Sequence, residues 1–338
     1  MITRPPAGRL VVCSEAPKWQ LPQKVFKGSC RLGNTSKSAD VAQYAENCIL
    51  FADGTVASWA CSDEDADANY DSKSLMLTPP PEVERIVKIA SGFHYFLALR
   101  EDGEAFVWGD EKWKKDKELS FPNGRLQGIK DIDIDQAGGM HAVTFEGKVV
   151  SWGNKKNSEL NDYITTKHPT KLKDVDRIRN AVGFTKSGEL IPWAVYRDGD
   201  ACLELPKGLQ KVRDVVFTSH LSLAIQQNGK VVGIDRNRQI IDREFGSLKK
   251  KVSQAARVGG MGGPGIVLLF DDGTIQYFDF HEDFRDYEKN SDADYAVNYE
   301  KVAKVLSIGS LDEGFWAILK EDKAPPKKAK TSTSNKKK

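Results

Sequence analysis

No stretch of this 338-residue chain approaches the ~18 consecutive apolar residues of a membrane-spanning helix, so none is expected. The opening residues, MITRPPAGRLVVCSEAPKW, are interrupted by proline, arginine and glutamate and give no apolar core for a signal peptide. Cysteine is scarce. Cys13, Cys30, Cys48, Cys61 and Cys202 form no C-x-x-C pair and leave an odd thiol in any disulfide scheme. Such usage points to a reducing compartment, the nucleus or the cytoplasm. No nucleophile stands beside a base, and no carboxylate pair or metal-ligand set has chemical spacing. Catalytic residues, metal ligands and cofactors are therefore expected to be absent.

What is present suffices for a large core: 40% of the residues are hydrophobic and 29% charged. The formal net charge of +2 conceals an asymmetry, because seven lysines and no acid follow from Lys323 onward, leaving the rest of the chain at −5. A mildly acidic body does not attract nucleic acid broadly. Nonspecific contact with phosphates is expected only through the basic tail.

One stretch invites a cofactor reading. Residues 259–265, GGMGGPG, place Gly260, Gly262 and Gly265 in the G-x-G-x-x-G pattern of a dinucleotide-binding turn. That pattern requires a helix to follow, whereas IVLLFDDGTIQYF reads as a β-hairpin with a D-G turn. A repeat gives the glycines another purpose. Turn glycines precede short β-rich runs at Gly8, Gly54, Gly103, Gly147, Gly188, Gly229 and Gly273, spaced by 46, 49, 44, 41, 41 and 44 residues. Five residues beyond each stands Cys13, Trp59, Trp108, Trp152, Trp193, Ile234 or Phe278. Gly262 lies eleven residues before Gly273, as Gly92 lies eleven before Gly103, so the glycine-rich stretch marks the entry to a second strand.

Before the glycines, apolar runs such as NCILFADG, YFLALREDG, LSLAIQQNG and IVLLFDDG predict a strand entering a two-residue turn. Another strand lies upstream, in RIVKIASG, IKDIDIDQAG, KVRDVVFTS and VAKVLSIGS. Each unit thus has at least three strands. The ends are complementary halves: Gly8 opens a post-turn strand with no pre-turn strand before it, and residues 302–322 supply pre-turn strands with nothing after them. The expected fold is all-β, a seven-bladed β-propeller spanning 1–322 and closed by pairing N-terminal and C-terminal strands in one blade. Residues 323–338 are expected to form a disordered lysine-rich tail.

The run IVKIASGFHYFLALREDGEAFVWGD at 86–110 resembles the repeat of the regulator of chromosome condensation family, roughly V-x-x-(I/V)-A-x-G-x-x-H-S-x-A-L-x-x-D-G-x-V-(Y/F)-x-W-G. GGMHAVTFEGKVVSWGN at 138–154 is a second match. W-A replaces W-G at Trp59 and Trp193, and both residues are lost after Gly229 and Gly273. WD-repeat propellers differ by ending a strand in W-D, and the G-W-R-H-T repeat of plant ultraviolet receptors of this fold is missing. By this register His94, His141 and His220 occupy the family's histidine slot and are structural, and the tryptophans anchor blade packing. His168 and His281 stand isolated. The resemblance implies a non-catalytic, monomeric protein-interaction module that is nuclear or cytoplasmic, with proteins or chromatin as partners. The founding member also implies an alternative, guanine-nucleotide exchange on a Ran-type small GTPase without covalent catalysis. The degenerate repeats leave no motif onto which exchange residues can be carried. Related propellers also serve as adaptors in ubiquitin or vesicle pathways within larger proteins.

Long loops on a rigid ring are natural partner contacts. In DEDADANYDSKS, Asp63, Asp65 and Asp67 suit the first positions of a calcium loop, but Ala68 and Ser74 stand where glycine and glutamate are required. Asp63, Asp65 and Tyr70 are therefore candidates for partner binding, with His281, Phe284 and Tyr287 of a second charged, aromatic loop. Lys327, Lys328 and Lys330 fit a K-K-x-K nuclear-import pattern after Pro325 and Pro326.

Overall fold

The structure is a computed structural model. It describes residues 2, 4–14, 41–45, 48–60, 75–92, 95–109, 126–134, 139–152, 163–165, 172–179, 182–192, 194–196, 209, 211–217, 221–235, 245, 248–258, 265–279, 304–311 and 314–320. The described residues are almost wholly β-structure, in antiparallel groups of three that we number as units.

Unit 1 holds β2 (Val41–Ala45), β3 (Cys48–Phe51) and β4 (Val56–Ala60), extended by β5 (Leu75–Leu77). Unit 2 holds β6 (Ile86–Ser91), β7 (Tyr95–Arg100) and β8 (Ala105–Gly109), and unit 3 holds β9 (Ile129–Ile134), β10 (Met140–Thr144) and β11 (Val149–Trp152). Next come β12 (Tyr163–Thr165), paired with β16 (Ala194–Tyr196), and unit 4, comprising β13 (Val175–Arg179), β14 (Val182–Thr185) and β15 (Leu190–Pro192). Unit 5 holds β17 (Val212–Phe217), β18 (Leu221–Gln226) and β19 (Val231–Asp235), and unit 6 holds β20 (Val252–Val258), β21 (Gly265–Phe270) and β22 (Ile275–Asp279). Unit 7 joins the chain's two ends. β23 (Val305–Leu311) pairs with β24 (Gly314–Leu319), and β24 pairs antiparallel with β1 (Arg9–Ser14) from Arg9↔Leu319 to Ser14↔Gly314.

The units repeat one another at the level of single hydrogen bonds. In all seven, the second residue of the first strand is skipped by its partner strand, forming a bulge at Ala42, Val87, Lys130, Asp176, Arg213, Ser253 and Leu306. A bulge adds local twist and re-aims the following side chain. Just before these strands, Arg85, Gly128, Asp174 and Lys211 take left-handed φ of 53°, 72°, 61° and 55°.

The loop between second and third strands corrects the two-residue turn expected from sequence. Phe51 N–H donates to the Thr55 carbonyl at 3.0 Å and Gly54 N–H to the Phe51 carbonyl at 3.0 Å, so three residues are enclosed. A three-residue hairpin needs a left-handed third position, which Gly54 supplies at φ 89°. Glycine is required here for a second reason. The carbonyl of Gly54 accepts from Ile86 N–H of the next unit at 3.0 Å, and a Cβ at Gly103 would lie 2.9 Å from the Ile129 carbonyl of its neighbour. The same link runs Gly103 to Ile129, Gly147 to Val175, Gly229 to Val252 and Gly273 to Val305, and Gly8 exchanges two such bonds with Val41 at 2.8 and 2.9 Å.

Seven apolar clusters fill the spaces between successive units. Between units 2 and 3 lie Leu97, Leu99, Ile132, Met140 and Trp152, and between units 7 and 1 lie Leu10, Trp316, Ile318, Tyr44, Ile49 and Trp59. The tryptophans five residues past the turn glycines are buried anchors as expected: Trp59, Trp108 and Trp152 all face the preceding unit. Trp108 Nε1 donates to Ser58 Oγ across that boundary at 2.9 Å. Trp193 lies outside the described residues. Gly265 begins β21, a strand, and not the helix a phosphate-binding turn requires.

Candidate interaction face

Because the turn glycines Gly8, Gly54, Gly103, Gly147, Gly229 and Gly273 bond to the start of the next unit, and Gly188 lies against Lys211, the three-residue turns and the residues just before the first strands gather on one face. The pre-strand residue acts as a wedge. Its carbonyl accepts from the first turn residue of its own unit, as in Arg85 from Glu101, Gly128 from Phe145, Lys211 from Gln227, Lys251 from Asp271 and Lys304 from Lys320. Its backbone or side chain lies against the preceding turn glycine: Lys211 Cα stands 2.6 Å from a Cβ built at Gly188, and Lys251 Cβ 2.6 Å from one built at Gly229.

The second turn residue is an acid in four units, Asp53, Asp102, Glu146 and Asp272. Asp53 Oδ1 accepts from Thr55 N–H at 2.9 Å, and Asp272 Oδ1 from Thr274 N–H at 2.9 Å, so these carboxylates brace their own turns. Two of the four, Asp102 and Asp272, also neutralise bases. In unit 2, Arg100 pairs with Asp102 at 2.8 Å and with Glu104, and Arg85 pairs with the adjacent Glu101 at 2.9 Å. The Arg100 hydrogen bond holds the Asp102 carboxyl below the usual range. In unit 6, Lys250 pairs with Asp272 at 2.8 Å and donates to Thr274 Oγ1 at 2.9 Å; the Lys250 contact, followed by the hydrogen bonds that Asp272 accepts from Thr274, depresses the Asp272 carboxyl strongly.

Units 4 and 5 differ. The turn acid becomes Ser187 and Asn228, and Asn228 Oδ1 still accepts from Lys230 N–H at 2.9 Å. The brace survives while the charge is lost. Around these turns Lys186, Lys211, Lys230, Lys249 and Lys251 are exposed and form no ion pair with a described residue; Glu189 is the acid among them. Phe145, 51% exposed, stands on the unit 3 turn of the same face, with its ring edge over Gly103. Sequence reading missed this face because its lysines are spread from 186 to 251 and meet only through the repeat register. The acid-to-neutral change at the turn position was its available signal.

A second set of charges is committed to joining units. Asp131 bridges three of them, accepting from Lys88 Nζ at 2.6 Å and from Ile178 N–H at 2.8 Å. Arg179 donates to both oxygens of Asp214 at 2.7 and 2.8 Å. Burial, above all, pulls the Arg177 guanidinium down from its ordinary value, while its cation sits 3.9 Å from the Phe184 ring centroid. His141 Nδ1 shares a 2.7 Å hydrogen bond with Ser151 Oγ in a buried setting, the structural part expected of the repeat histidine. Burial pushes the Cys48 thiol up, as expected of a cysteine packed in the core. Among the described residues, no three His, Cys, Asp or Glu side chains are grouped to hold a metal, and no helix is long and apolar enough to cross a membrane.

The loop candidates Asp63, Asp65, Tyr70, His281, Phe284 and Tyr287, the import candidates Lys327, Lys328 and Lys330, and His94, His168 and His220 lie outside the described residues.

Turn, bulge and interface recur unit after unit, which defines an all-β repeat protein of propeller-type units. Comparison with known proteins agrees with the resemblance read from the sequence: residues 86–112 match the model of the regulator of chromosome condensation (RCC1) repeat. The chain is similar to the human E3 ubiquitin-protein ligase HERC2, at 28% identity over 254 residues covering 63% of this chain and 5% of that protein. It is also similar to the guanine nucleotide exchange factor SRM1 of Saccharomyces cerevisiae, at 24% identity over 237 residues covering 54% of this chain and 49% of that protein. It thus spans half or less of these relatives. Among solved structures, Prp20p from Saccharomyces cerevisiae, described with its binding to Gsp1p and histones, superposes with a TM-score of 0.40 at 17% identity over 84% of this chain and 69% of that one.

Proposed function

We propose that the chain is a closed seven-bladed propeller serving as a non-catalytic, monomeric protein-interaction module of the nucleus or cytoplasm. The cyclic order of the seven apolar clusters supports the ring: the last cluster packs unit 7 against unit 1, and β1 adds to the sheet of β24. The observation that carries the function is the face of rigid turns. The turns are closed within their units, and those of units 1, 2, 3, 5 and 6 are also hydrogen-bonded onto the next, so their side chains are displayed at little ordering cost, as a docking surface requires. The loops carrying Asp63, Asp65 and Tyr70, and His281, Phe284 and Tyr287, are proposed as further partner contacts. The lysines of the 323–338 tail are proposed as an import signal and a nonspecific phosphate contact. Affinity capture on the full chain, followed by cross-linking mass spectrometry, tests the module. Cross-links from a specific protein to the turn face or the two loops are expected, and capture of no protein above background rejects the reading.

The similarity to SRM1 favours a second reading, guanine-nucleotide exchange on a Ran-type GTPase, in which the module holds the nucleotide-free GTPase more tightly than the loaded one. Release of fluorescent GDP from Ran is the test. A rate accelerated by micromolar chain supports exchange, and an unchanged rate removes it.

A further inference from the structure

We infer that the lysine sector of units 4 and 5 is a docking surface for an acidic polypeptide segment. The inference rests on the interaction-module reading and assigns the partner's chemistry. Its basis is an internal comparison of equivalent positions. In units 2 and 6 the turn acid at this position meets a base, as in Asp102 with Arg85 at 3.7 Å and Asp272 with Lys250 at 2.8 Å. In units 4 and 5 the acids are replaced by Ser187 and Asn228, with the Asn228 brace on Lys230 N–H kept at 2.9 Å. The turn's folding requirement is met without its charge, which leaves Lys186, Lys211, Lys230, Lys249 and Lys251 exposed and without an ion pair to a described residue.

Three features select a polypeptide over nucleic acid. The sector is bounded by Asp174 and Glu146 on one side and by Asp271 and Asp272 on the other, and Glu189 stands within it. A continuous phosphate strand would be repelled at both borders, whereas a short acidic segment ends between them. The chain outside the tail is net negative, which opposes long-range attraction of a polyanion. The cations are lysines, point charges suited to scattered carboxylates, and not the planar forks that grip phosphates bidentately.

The test uses a fluorescein-labelled peptide of about sixteen residues, half of them glutamate, titrated with the full chain at ~50 mM salt. The variant Lys211→Glu, Lys230→Glu, Lys251→Glu is expected to bind about tenfold more weakly. The charge-matched variant Lys327→Glu, Lys328→Glu, Lys330→Glu is expected to bind as the parent does. All these side chains in the sector are exposed, so an unchanged circular dichroism melt accompanies the loss. Failure of the parent to bind, or an equal loss in the tail variant, overturns the assignment. So does a single-stranded oligonucleotide that binds the sector as tightly as the peptide. If the sector variant still captures the parent's protein partners, the module reading survives and this inference falls. If the parent captures no protein, the module reading falls and takes this assignment with it, even where the peptide binds through these lysines.

Discussion

The joint between units 7 and 1 and the joints between units 3, 4 and 5 perform the same task with different chemistry. At the first, Leu10, Val41, Tyr44, Ile49, Trp59, Trp316 and Ile318 are buried together, with the Tyr44 ring centroid 6.3 Å from those of both Trp59 and Trp316. Between units 3 and 4 the buried cluster is only Val143, Val149, Val175 and Ile178. There, an ion pair and a side-chain-to-backbone bond compensate: Lys130 with Asp176 at 3.1 Å, and Asp131 with Ile178 N–H at 2.8 Å. Sequence adjacency does not set the difference, because the joints between units 1 and 2 and between units 2 and 3, also neighbours along the chain, bury large apolar clusters with Trp108 and Trp152. Where the buried cluster is small, directional bonds set the register. At the joint of units 7 and 1, where β1 pairs with β24 over a long sequence separation, aromatic burial supplies a non-directional gain that offsets the loop entropy.

The comparison breaks most visibly at Trp316. Trp316→Ala removes a buried ring that packs on Tyr44, and destabilisation of about 4 kcal/mol is expected in urea unfolding followed by fluorescence. Cleavage by a protease near the N-terminus is expected to accelerate in the same variant, because β1 is held by β24. A loss below about 1 kcal/mol would mean that the aromatic joint contributes little.

Asp131 is the next largest. Asp131→Ala strips Ile178 N–H of its acceptor in a buried site and leaves Lys88 unpaired, at an expected cost of about 2 kcal/mol. Asp131→Asn keeps an acceptor for Ile178 and is expected to recover roughly half of that loss. Equal costs for the two variants would show that charge, and not the bond to the neighbouring backbone, holds the joint. Gly103→Ala should cost about 1–2 kcal/mol by forcing a Cβ into a left-handed residue, 2.9 Å from the Ile129 carbonyl. Its effect is local to the link between units 2 and 3, so hydrogen exchange should rise at Ile129 N–H first.

The glycines were legible in the sequence because a left-handed turn tolerates little else, and the tryptophans because a buried ring at a fixed offset repeats a packing demand. The latches were not. The third residues of the first strands are Gln43, Lys88, Asp131, Arg177, Asp214, Gln254 and Ser307, seven positions in one register with five different side chains. Gln43 bonds both the N–H and the carbonyl of Ile89, Gln254 accepts from Ile308 N–H, and Asp131 accepts from Ile178 N–H, so each solves the same geometry with whatever its neighbour offers. Only the preceding bulge is common, and a bulge has no letter in the sequence when any residue can occupy it. The lysine sector was hidden likewise, since its parts adjoin only once the units stack. The two-residue turn was a misreading of Asp-Gly, whose glycine here is the third loop residue.

The smallest effect gives the sharpest separation of the two kinds of joint. Lys130→Met keeps an aliphatic side chain at the bulge and removes the ammonium facing Asp176, a carboxylate whose side chain is 47% exposed. A half-solvated pair gains little over water, so the expected loss is at most about 0.5 kcal/mol at low salt. Near 1 M NaCl the Debye length falls to about 3 Å and the pair is screened, so parent and variant should converge. Aromatic burial has no such dependence, and the deficit of Trp316→Ala should persist at that salt concentration. Convergence of both variants with the parent would contradict the division between the apolar joint of units 7 and 1 and the polar joint of units 3 and 4. Convergence of Lys130→Met alone would place the salt sensitivity of the fold in the joint between units 3 and 4.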